Sequence, residues 1–545
     1  MATMIPRPAA TLALLRDTEF PNAAGPQVLM LQRTQSAAFL GGAYVFAGGS
    51  LDAADDDGRI VARVRGLSLP TPPVAYWIAA IRECFEEAGI LLACDAQGQF
   101  VSAARAAELA HYRSRPFVEL LQGEDLYLPA SELAYCGHWI TAPGRARRFD
   151  TRFFVARAPD GQEGSHDAGE MVHALWITPR EALERGARGE IELVHATRET
   201  LSELKNFATA AEAIRHVRSL NEIEENRACR AVGREGEKIF RRADPQYFET
   251  HWSDPQETGT TTYDLVAGEA KKLDRWVTRL IAPNPGMMTG PGTNTYIVGE
   301  NEHAVIDPGP DIASHIEKLL AFGNIKWVLC THTHMDHSPA AAAIKAATGA
   351  QLLGRPAPAG QGQDASFKPD FVLENGQRID LGGITLRAVH TPGHASNHLC
   401  YLLESTKMLF TGDQVMQGST VVINPPDGDM RAYLQSLEKL LDEDTAIIAP
   451  GHGYLIGAPK KELRRLIAHR LAREEKVVNA LVKIGPASVE ELLPLVYDDV
   501  PVRIHRVAAR SLTAHLDKLA ADGALIATRD TAGERYSLVK SRTAG

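Results

Sequence analysis

The sequence is poor in cysteine, and its six cysteines show no spacing typical of a metal site or a redox pair. They are Cys84, Cys94, Cys136, Cys229, Cys330 and Cys400. No C-x-x-C pair occurs, which argues against a cysteine zinc site. In a chain of 545 residues, such scattered thiols are typical of reduced, mostly buried side chains rather than of a disulfide framework. We therefore expect neither structural disulfides nor a nucleophilic cysteine.

Long apolar runs and an excess of positive charge are missing as well. No run approaches the ~18 apolar residues that a membrane-spanning helix needs. The first residues, MATMIPRPAATLALLRDTEF, contain no apolar core followed by a cleavage-like site. We predict a cytoplasmic protein without a membrane segment. The net charge of −10 opposes nucleic-acid binding over the whole surface but allows a local basic face.

Length and changes of pattern divide the chain into four parts. A chain of 545 residues exceeds one ordinary core. Strand-like runs mixed with helices predict an α/β domain over 5–235, and the polar, Thr-rich stretch 250–264 indicates a linker over 236–270. Short apolar runs alternating with Gly/Pro turns and helices predict a further domain over 271–460. Three helices and a strand pair over 461–540 have the order of a winged helix.

The string THTHMDH at 331–337 is the strongest functional signal in the sequence. His332, His334, Asp336 and His337 follow the apolar strand candidate KWVLC and precede an Ala-rich helix candidate. Imidazoles and a carboxylate crowded at the end of a strand suit a borderline metal such as Zn²⁺. The pattern therefore predicts a metal site at this turn.

Three further candidate ligands follow apolar runs later in the chain. His394 stands in LRAVHTPGHASNH, Asp413 in KMLFTGDQ and His452 in TAIIAPGHG. Because strand ends of one sheet converge, this repeated placement predicts one site shared with THTHMDH. His390 and His398 lie nearby in the sequence but fit that placement less well.

Residues 271–457 resemble the metallo-β-lactamase-fold hydrolases, because the H-x-H-x-D-H string is complete and the later histidine, aspartate and histidine follow in the family's order. The resemblance implies an αββα sandwich with two zinc ions. It assigns His332, His334 and His394 to the first metal, Asp336, His337 and His452 to the second, and Asp413 to a bridge between them. Two zinc ions ~3.5–4 Å apart would lower the pKa of a shared water towards ~7 and supply hydroxide as the nucleophile. Asp336 would also orient that hydroxide.

Fold and metals leave the substrate open. The stretch APNPGMMTGPGTNTYIVG (282–299) and the winged-helix-like end resemble those of β-lactamase-like endoribonucleases that cut single-stranded RNA, and of related thioesterases. We place RNA cleavage ahead of thioester hydrolysis, such as that of acyl-coenzyme A. A basic run on one helix could steer phosphates, or it could be the solvated face of that helix. The run comprises Lys460, Lys461, Arg464, Arg465, Arg470 and Arg473.

The segment RECFEEAGI places three carboxylates on a short amphipathic helix candidate. Glu83, Glu86 and Glu87 lie beside Arg82. Like charges at i, i+3 and i+4 repel by about 0.2–0.5 kcal/mol per pair. A divalent cation that prefers carboxylate oxygens would offset this repulsion. The alternative is a solvated acidic face.

Glycines and an acidic loop, FAGGSLDAADDDGRI, precede this helix, and together with R-E-x-x-E-E-x-G they resemble the Nudix box. Residues 5 to about 235 are thus similar to Nudix hydrolases, in the branch that resembles coenzyme A diphosphatases. The resemblance implies Mg²⁺ or Mn²⁺ held mainly by Glu86 and Glu87, with Glu83 in support, and water directed at the diphosphate of a nucleotide or coenzyme A-type substrate. Asp55 stands at the glutamate position of the box, and a long insertion separates it from Arg82.

The insertion leaves a second interpretation open, in which the first domain only senses a nucleotide. Glu170 is a further candidate metal or base residue, or else a surface acid. The expected architecture is an α/β multidomain chain with a Nudix α/β/α fold, then an αββα metallo-β-lactamase sandwich, then a small winged helix. We expect a metallohydrolase of undetermined oligomeric state.

Overall fold

The computed structural model describes residues 4–17, 25–35, 41–67, 71–166, 171–530 and 533–539. The chain divides into two compact units. The first comprises 1–230 and 256–259, and the second comprises 231–255 and 260–545. Among the described residues, no helix combines the length and the apolar character needed to cross a membrane.

The first unit is built on a mixed eight-stranded sheet. Its sheet strands are β1 (Arg7–Arg16), β2 (Gln27–Arg33), β3 (Tyr44–Val45), β4 (Ala47–Ser50), β7 (Ala134–Ile140), β8 (Phe149–Arg157), β9 (Met171–Ile177) and β10 (Glu225–Arg227), while β5 (Val64–Arg65) pairs with β6 (Leu128–Pro129). The main path is β10-β7-β8-β1-β2-β3, with β4 added to β1 and β9 to β2. The helices are α1 (Gly58–Val61), α2 (Val74–Ala88), α3 (Ala103–Leu109), α4 (Phe117–Gly123), α5 (Pro179–Ala187), α6 (His195–Leu204) and α7 (Ala210–Arg218).

Strand β1 shows why this unit has three layers. Leu12 and Leu14 enter one core with α2, whereas Ala13 and Leu15 enter a second core with α6 and α7. A strand covered on both faces reads as a nearly continuous apolar run, as ATLALL does. Helix α2 ends at Gly89, which adopts the left-handed conformation at φ 64° that a glycine allows most easily. The predicted α/β/α arrangement is therefore confirmed.

The second unit contains two sheets and two small strand pairs. Its strands are β11 (Cys229–Gly233), which begins just before the unit, β12 (Gly236–Phe240), β13 (Ala270–Lys272), β14 (Val277–Ile281), β15 (Asn294–Val298), β16 (His303–Ile306), β17 (Ile325–Leu329), β18 (Gln351–Gly354), β19 (Phe371–Val372), β20 (Arg378–Asp380), β21 (Thr385–His390), β22 (Leu399–Leu403), β23 (Met408–Gly412), β24 (Ile447–Pro450), β25 (Leu525–Asp530) and β26 (Gly533–Leu538). Its helices are α8 (Tyr247–Ser253), α9 (Ala313–Leu320), α10 (Ala340–Thr348), α11 (Met430–Leu441), α12 (Pro459–Ile484), α13 (Val489–Val496) and α14 (His505–Ala521).

The two sheets of this unit form a sandwich. Strands β13 to β19 pair in chain order in a seven-stranded sheet, and β20 to β24 do the same in a five-stranded sheet. Tyr296 of the first sheet and Tyr401 and Phe410 of the second lie in one buried core between the sheets. Helices α9 and α10 cover the outer face of the first sheet, and α11 and α12 cover that of the second. The αββα layering is thereby confirmed.

The C-terminal part contains α12, α13 and α14 followed by the β25–β26 hairpin, which is the predicted winged-helix order. Helix α12 contributes to two cores. Leu463 and Leu466 pack with Tyr433 of α11, whereas Val477 and Leu481 pack with α13, α14 and the β25–β26 hairpin. The predicted boundary at residue 461 therefore falls near the start of one continuous helix and not in a loop.

The predicted linker over 236–270 requires a correction, because it carries strand β12 and helix α8. Glu249 of α8 is 1% exposed and binds Arg279 with both carboxylate oxygens, at 2.6 and 2.8 Å. Lys271 Nζ donates to the same carboxylate at 2.8 Å. A helix this short shows little periodicity in the sequence. Buried ion pairs to distant residues, which no local pattern reveals, attach it to the sandwich.

Candidate active sites

The structure brings all seven histidine and aspartate candidates of the second unit to one edge of the sandwich. His332, His334, Asp336 and His337 lie in the loop after β17, and His394, Asp413 and His452 follow β21, β23 and β24. Strands β21 and β23 are both antiparallel to β22, and β24 is parallel to β23, so all three end at the same edge. Strand direction thus brings the three later candidates together. The expectation of a single sheet was wrong, because the loop with the other four candidates follows β17 of the seven-stranded sheet.

Three imidazoles form the first group of possible ligands. His334 Nδ1 lies 2.9 Å from His332 Nε2 and 3.0 Å from His394 Nε2. Burial, and then the proximity of the neighbouring histidines, lowers the pKa of His334 to about 3. Burial likewise holds the pKa values of His332 and His394 below the usual range. Three neutral rings therefore direct nitrogen atoms at one point.

The second group combines a carboxylate with two imidazoles. Asp336 Oδ2 lies 3.3 Å from His452 Nε2 and 3.4 Å from His337 Nε2. Burial opposes protonation of His452, but the charge of Asp413 and the proximity of the Asp336 carboxylate outweigh it and raise the pKa to about 9. In the metal-free protein, protons on His337 and His452 would compensate the carboxylates that a cation compensates when bound.

Asp413 lies between the two groups. Its Oδ1 is 3.3 Å from His452 Nε2 and 3.5 Å from His337 Nε2, while its Oδ2 is 3.7 Å from His394 Nε2. Each oxygen of this carboxylate therefore faces a different group. This is the geometry expected of a ligand that bridges two metals.

The donor set fits two divalent cations. Asp413 Oδ1 and His337 Nε2 are buried without a hydrogen-bond partner, which is uncommon in folded proteins and calls for a physical reason. Neutral imidazole nitrogens and carboxylate oxygens are donors that Zn²⁺ prefers, at three or four per ion. Cations at the two groups would satisfy these atoms and remove the repulsion among the nitrogen lone pairs.

The outer ring nitrogens of these histidines are fixed by hydrogen bonds. His394 Nδ1 donates to the Val422 carbonyl at 2.8 Å, and His337 Nδ1 contacts Asp307 Oδ2 at 2.9 Å. Such partners set ring orientation and tune metal affinity. Asp307 also accepts from the backbone N–H and the hydroxyl of Thr331, at 2.7 and 2.8 Å. Sequence reasoning missed Asp307, although it follows β16, the neighbour of β17, at the same kind of strand end.

The two histidines expected to fit less well lie outside the ligand groups. His390 is half-buried, and its Nε2 contacts the Ser396 carbonyl at 3.3 Å. His398 is fully buried and stacks on His332 with ring centroids 5.0 Å apart. Neither belongs to any group of possible metal ligands found among the described residues.

The carboxylates of α2 surround one guanidinium in the first unit. Arg82 donates to both oxygens of Asp55 at 2.8 and 2.9 Å, and to Glu83 and Glu86 at 2.8 Å each. Burial outweighs the charge of Arg82 and raises the pKa of Glu83 to about 7. Glu87 Oε2 accepts from the Gly48 N–H of strand β4 at 2.8 Å, so the helix lies against the glycines that precede the acidic loop.

The Arg82–Asp55 pair shows how the long insertion is accommodated. The two residues stand 27 positions apart, and helix α1 and strand β5 lie in the intervening segment. Ile60 of the insertion is buried in the core with α2, and the Arg82–Asp55 pair is closed across the insertion. In the described part of the chain, the α2 carboxylates do not form a group of three with oxygens within 4.8 Å of one another. Glu170 lies outside the described residues.

The basic run on α12 requires a second correction. Arg470 is buried and donates to the Val421 carbonyl, and Arg473 is buried against the Val496 carbonyl and Asp499. These two guanidinium groups hold loops to the helix and are not available to steer phosphates. Helical periodicity placed them on the polar face, because it cannot show that another segment covers that face.

Comparison with protein families identifies three domains in the order expected. The model of the metallo-beta-lactamase superfamily matches residues 288–452. The model described as the NUDT19 Nudix domain matches residues 61–197, and that of the beta-lactamase associated winged helix domain matches 488–532.

Curated relatives agree with these matches. The lactamase-like protein adaB of Aspergillus niger is 32% identical over 276 residues, which are 47% of this chain and 83% of the relative. The beta-lactamase-like protein 2 homolog of Caenorhabditis elegans is 30% identical over 46% of this chain and 87% of its own. An atrochrysone carboxyl ACP thioesterase of Aspergillus fumigatus is 32% identical over 43% of this chain and 78% of its own.

Proposed function

Because the chain belongs to the metallo-β-lactamase superfamily, we propose that its clustered histidines and aspartates hold two zinc ions. The reaction proposed for this centre is hydrolysis of the thioester bond between an acyl group and a carrier such as coenzyme A. The observation that carries the proposal is Asp413, whose two oxygens face the two ligand groups. Several relatives bear the name thioesterase. With Arg470 and Arg473 buried, less of the basic run remains to favour RNA, so thioester hydrolysis now takes precedence.

A metal pair bound at this cluster would lower the pKa of water and polarise the attacked carbonyl. The protein residues position the reactants. The Asp336 side chain is 28% exposed, more than those of Asp413, at 13%, and His452, at 5%. Asp336 Oδ2 would accept a hydrogen bond from the attacking water and hold it towards the carbonyl carbon. Water adds to the carbonyl carbon and the C–S bond breaks. One proton of the water passes to the leaving thiolate, and the carboxylic acid formed releases the other to solvent as it ionises.

The cysteines support attack by water instead of by a protein thiol. Cys330 stands directly before THTHMDH but is buried, and burial holds the pKa of its thiol well above the ordinary value. Cys400 is also buried, and burial raises its pKa to about 12. Neither thiol would ionise near neutral pH, so neither is a nucleophile there.

For the first domain we propose hydrolysis of the diphosphate of a nucleotide or coenzyme A-type molecule, supported by Mg²⁺ or Mn²⁺. Glu86 and Glu87 would be the main ligands and Glu83 a supporting one, while Arg82 positions Glu83 and Glu86. The closed Arg82–Asp55 pair supports an intact box. The competing description is a nucleotide sensor. Replacing Glu86 and Glu87 by glutamine, and assaying nucleotide binding and diphosphate hydrolysis separately, distinguishes the two descriptions. A wild-type protein that hydrolyses no diphosphate, together with a variant that still binds nucleotide, would favour the sensor.

Cleavage of single-stranded RNA is the second candidate for the zinc centre. It is supported by the winged helix and by exposed cationic residues on α12, Lys460 and Arg464. The two candidates are separated by assaying the zinc-loaded full chain with acyl-coenzyme A and with single-stranded RNA. We expect hydrolysis of the thioester and its loss in Asp413→Asn. Cleavage of RNA alone would reverse the order, and a protein that neither retains zinc nor cleaves either substrate after zinc addition would refute both.

A further inference from the structure

A cavity of about 470 Å³ lies in the second unit. Its walls come from the segment 242–248, the loop 417–420 and helix α12. This volume falls within the range of ~300–1,000 Å³ that is usual for small-molecule sites. Neither the proposed hydrolysis nor the winged helix accounts for it.

The cavity adjoins the candidate active site through its loop wall. The loop begins four residues after Asp413, and shortly after its end the Val422 carbonyl accepts from His394 Nδ1. Gln417 lies against Gly453, where a Cβ would stand 2.9 Å from the Gln417 Oε1 atom. Gly453 directly follows His452. A molecule held in this cavity would therefore be next to the loops that carry the ligands.

The lining has an apolar side and a polar side. Pro245, Phe248 and Leu455 form apolar wall. Arg242 lies with its guanidinium carbon 5.2 Å from the centroid of the Phe248 ring, which keeps the planar group at the cavity wall. A planar guanidinium suits both stacking on a base and binding of phosphate oxygens. The ligand that matches such a wall carries a flat ring.

The polar side suits a phosphate. It contains the hydroxyls of Ser419 and Thr420, the imidazole of His469 and the guanidinium of Arg465. Glu462 orients Arg465 with two bonds of 2.8 and 2.6 Å, and the Arg465 side chain is still 51% exposed. Hydroxyls and guanidinium groups are common phosphate donors.

The local charge points the same way. Burial, and then the positive charges of Arg470, Arg473 and Arg465, lowers the pKa of His469 to about 4. The acidic groups of the lining have partners of their own, because Glu462 pairs with Arg465 and Asp244 accepts from the Arg241 N–H. Cations near His469 thus disfavour its protonation, and the two carboxylates of the lining already have hydrogen-bond partners.

We propose that this cavity binds a nucleotide, with its base at the Arg242 wall and its phosphate at Arg465, Ser419 and Thr420. That the nucleotide is part of the substrate, either the adenosine end of a coenzyme A thioester or a nucleotide of RNA, rests on the proposed function. Nucleotide binding itself does not depend on hydrolysis.

Photolabelling tests binding directly. The full chain is irradiated with 8-azidoadenosine 5′-monophosphate, and the labelled peptides are identified by mass spectrometry. We expect label in peptides from 242–248, 417–420 or 455–469, and its loss in Arg465→Gln. Lys483→Gln removes one positive charge from an exposed position of the same helix outside the cavity and should leave the label unchanged. Peptides of the first domain, which could bind the same probe, are scored separately.

Kinetics identify the source of the nucleotide. If the nucleotide belongs to coenzyme A, Arg465→Gln should raise KM for acyl-coenzyme A about tenfold or more, which is the effect of one lost charged hydrogen bond. The kcat for acyl-coenzyme A should stay unchanged, and so should the KM for acyl-pantetheine, which lacks the nucleotide. If it belongs to RNA, the rise should appear with an oligonucleotide. Label confined to the first domain, or identical behaviour of Lys483→Gln and Arg465→Gln, would overturn the proposal. Label in the cavity without hydrolysis of any substrate would uphold it while refuting the proposed function.

Discussion

Replacing Glu249 by glutamine should destabilise the second unit strongly. The carboxylate is 1% exposed and serves two buried cations, Arg279 and Lys271, as well as the Leu455 N–H at 3.1 Å. Removing one partner of a buried ion pair costs about 3–5 kcal/mol, mostly because the remaining charge is left without compensation. The loss is expected near the upper end of that range, since two cations lose the same partner.

Hydrogen exchange followed by mass spectrometry measures this effect by peptide, which matters because the two units need not unfold together. A loss of 3–5 kcal/mol corresponds to exchange of the best protected amides faster by roughly two to four orders of magnitude. Strands β13 and β14, which carry Lys271 and Arg279, should show it. Peptides of the first unit serve as an internal reference.

The matched control is Glu300→Gln, the same substitution in an exposed ion pair. Glu300 contacts Arg275 at 2.8 and 3.1 Å, but the two side chains are 38% and 68% exposed, so water replaces the lost charge and protection should hardly change. If Glu249→Gln exchanged like this control, the buried pairs would not be what attaches α8. Replacing Glu249, Lys271 and Arg279 together by apolar residues should restore much of the protection, because no uncompensated charge remains.

Three further predictions concern the sites and the response to acid. Asp307→Asn should weaken metal binding about 10- to 100-fold, since it removes the carboxylate that orients His337; a chelator competition measures this, and unchanged affinity would contradict it. Arg82→Lys should destabilise the first unit nearly as much as Arg82→Gln, because an ammonium cannot form the bidentate bond to Asp55; full stability of the lysine variant in urea would argue against the closed box. Burial opposes ionisation of Glu249, but the charges of Arg279 and Lys271 outweigh it and lower the pKa from an ordinary 4.5 to about 2. The stabilisation by Glu249 is therefore complete above pH 4.5 and is lost as the pH falls towards 2; a wild-type acid transition unchanged by Glu249→Gln would refute this.

Much of the histidine and aspartate cluster could be predicted, because the pattern that reveals it lies within short segments of the sequence. Each of the candidates His394, Asp413 and His452 follows an apolar run, and strands that run in one direction end at one edge of a sheet. The same reasoning could have found Asp307 after β16, but a single aspartate in a turn carries no distinguishing pattern. Its value comes from a contact with His337, 30 residues away.

The carboxylates of α2 were predictable as a group, and their partner Arg82 was named beside them. The sequence did not reveal that Asp55 closes on Arg82 across the insertion, since pairing over 27 residues depends on how the intervening segment folds. Arg470 and Arg473 illustrate the opposite error. Their spacing placed them on a polar helix face, and other segments then covered that face.

By itself, the sequence determined the order of the three domains, the three-layer fold of the first, the αββα layers of the second and which histidines and aspartates form the candidate metal site. These follow from periodicity and from residue types next to strand ends, which are local properties. Only the tertiary structure decided that the expected linker, apart from residues 256–259, belongs to the second unit, that Asp413 faces both ligand groups, and that a cavity lies between 242–248 and α12. Each of these depends on contacts between residues far apart in the chain, whose energies come from burial and charge pairing that no short segment specifies.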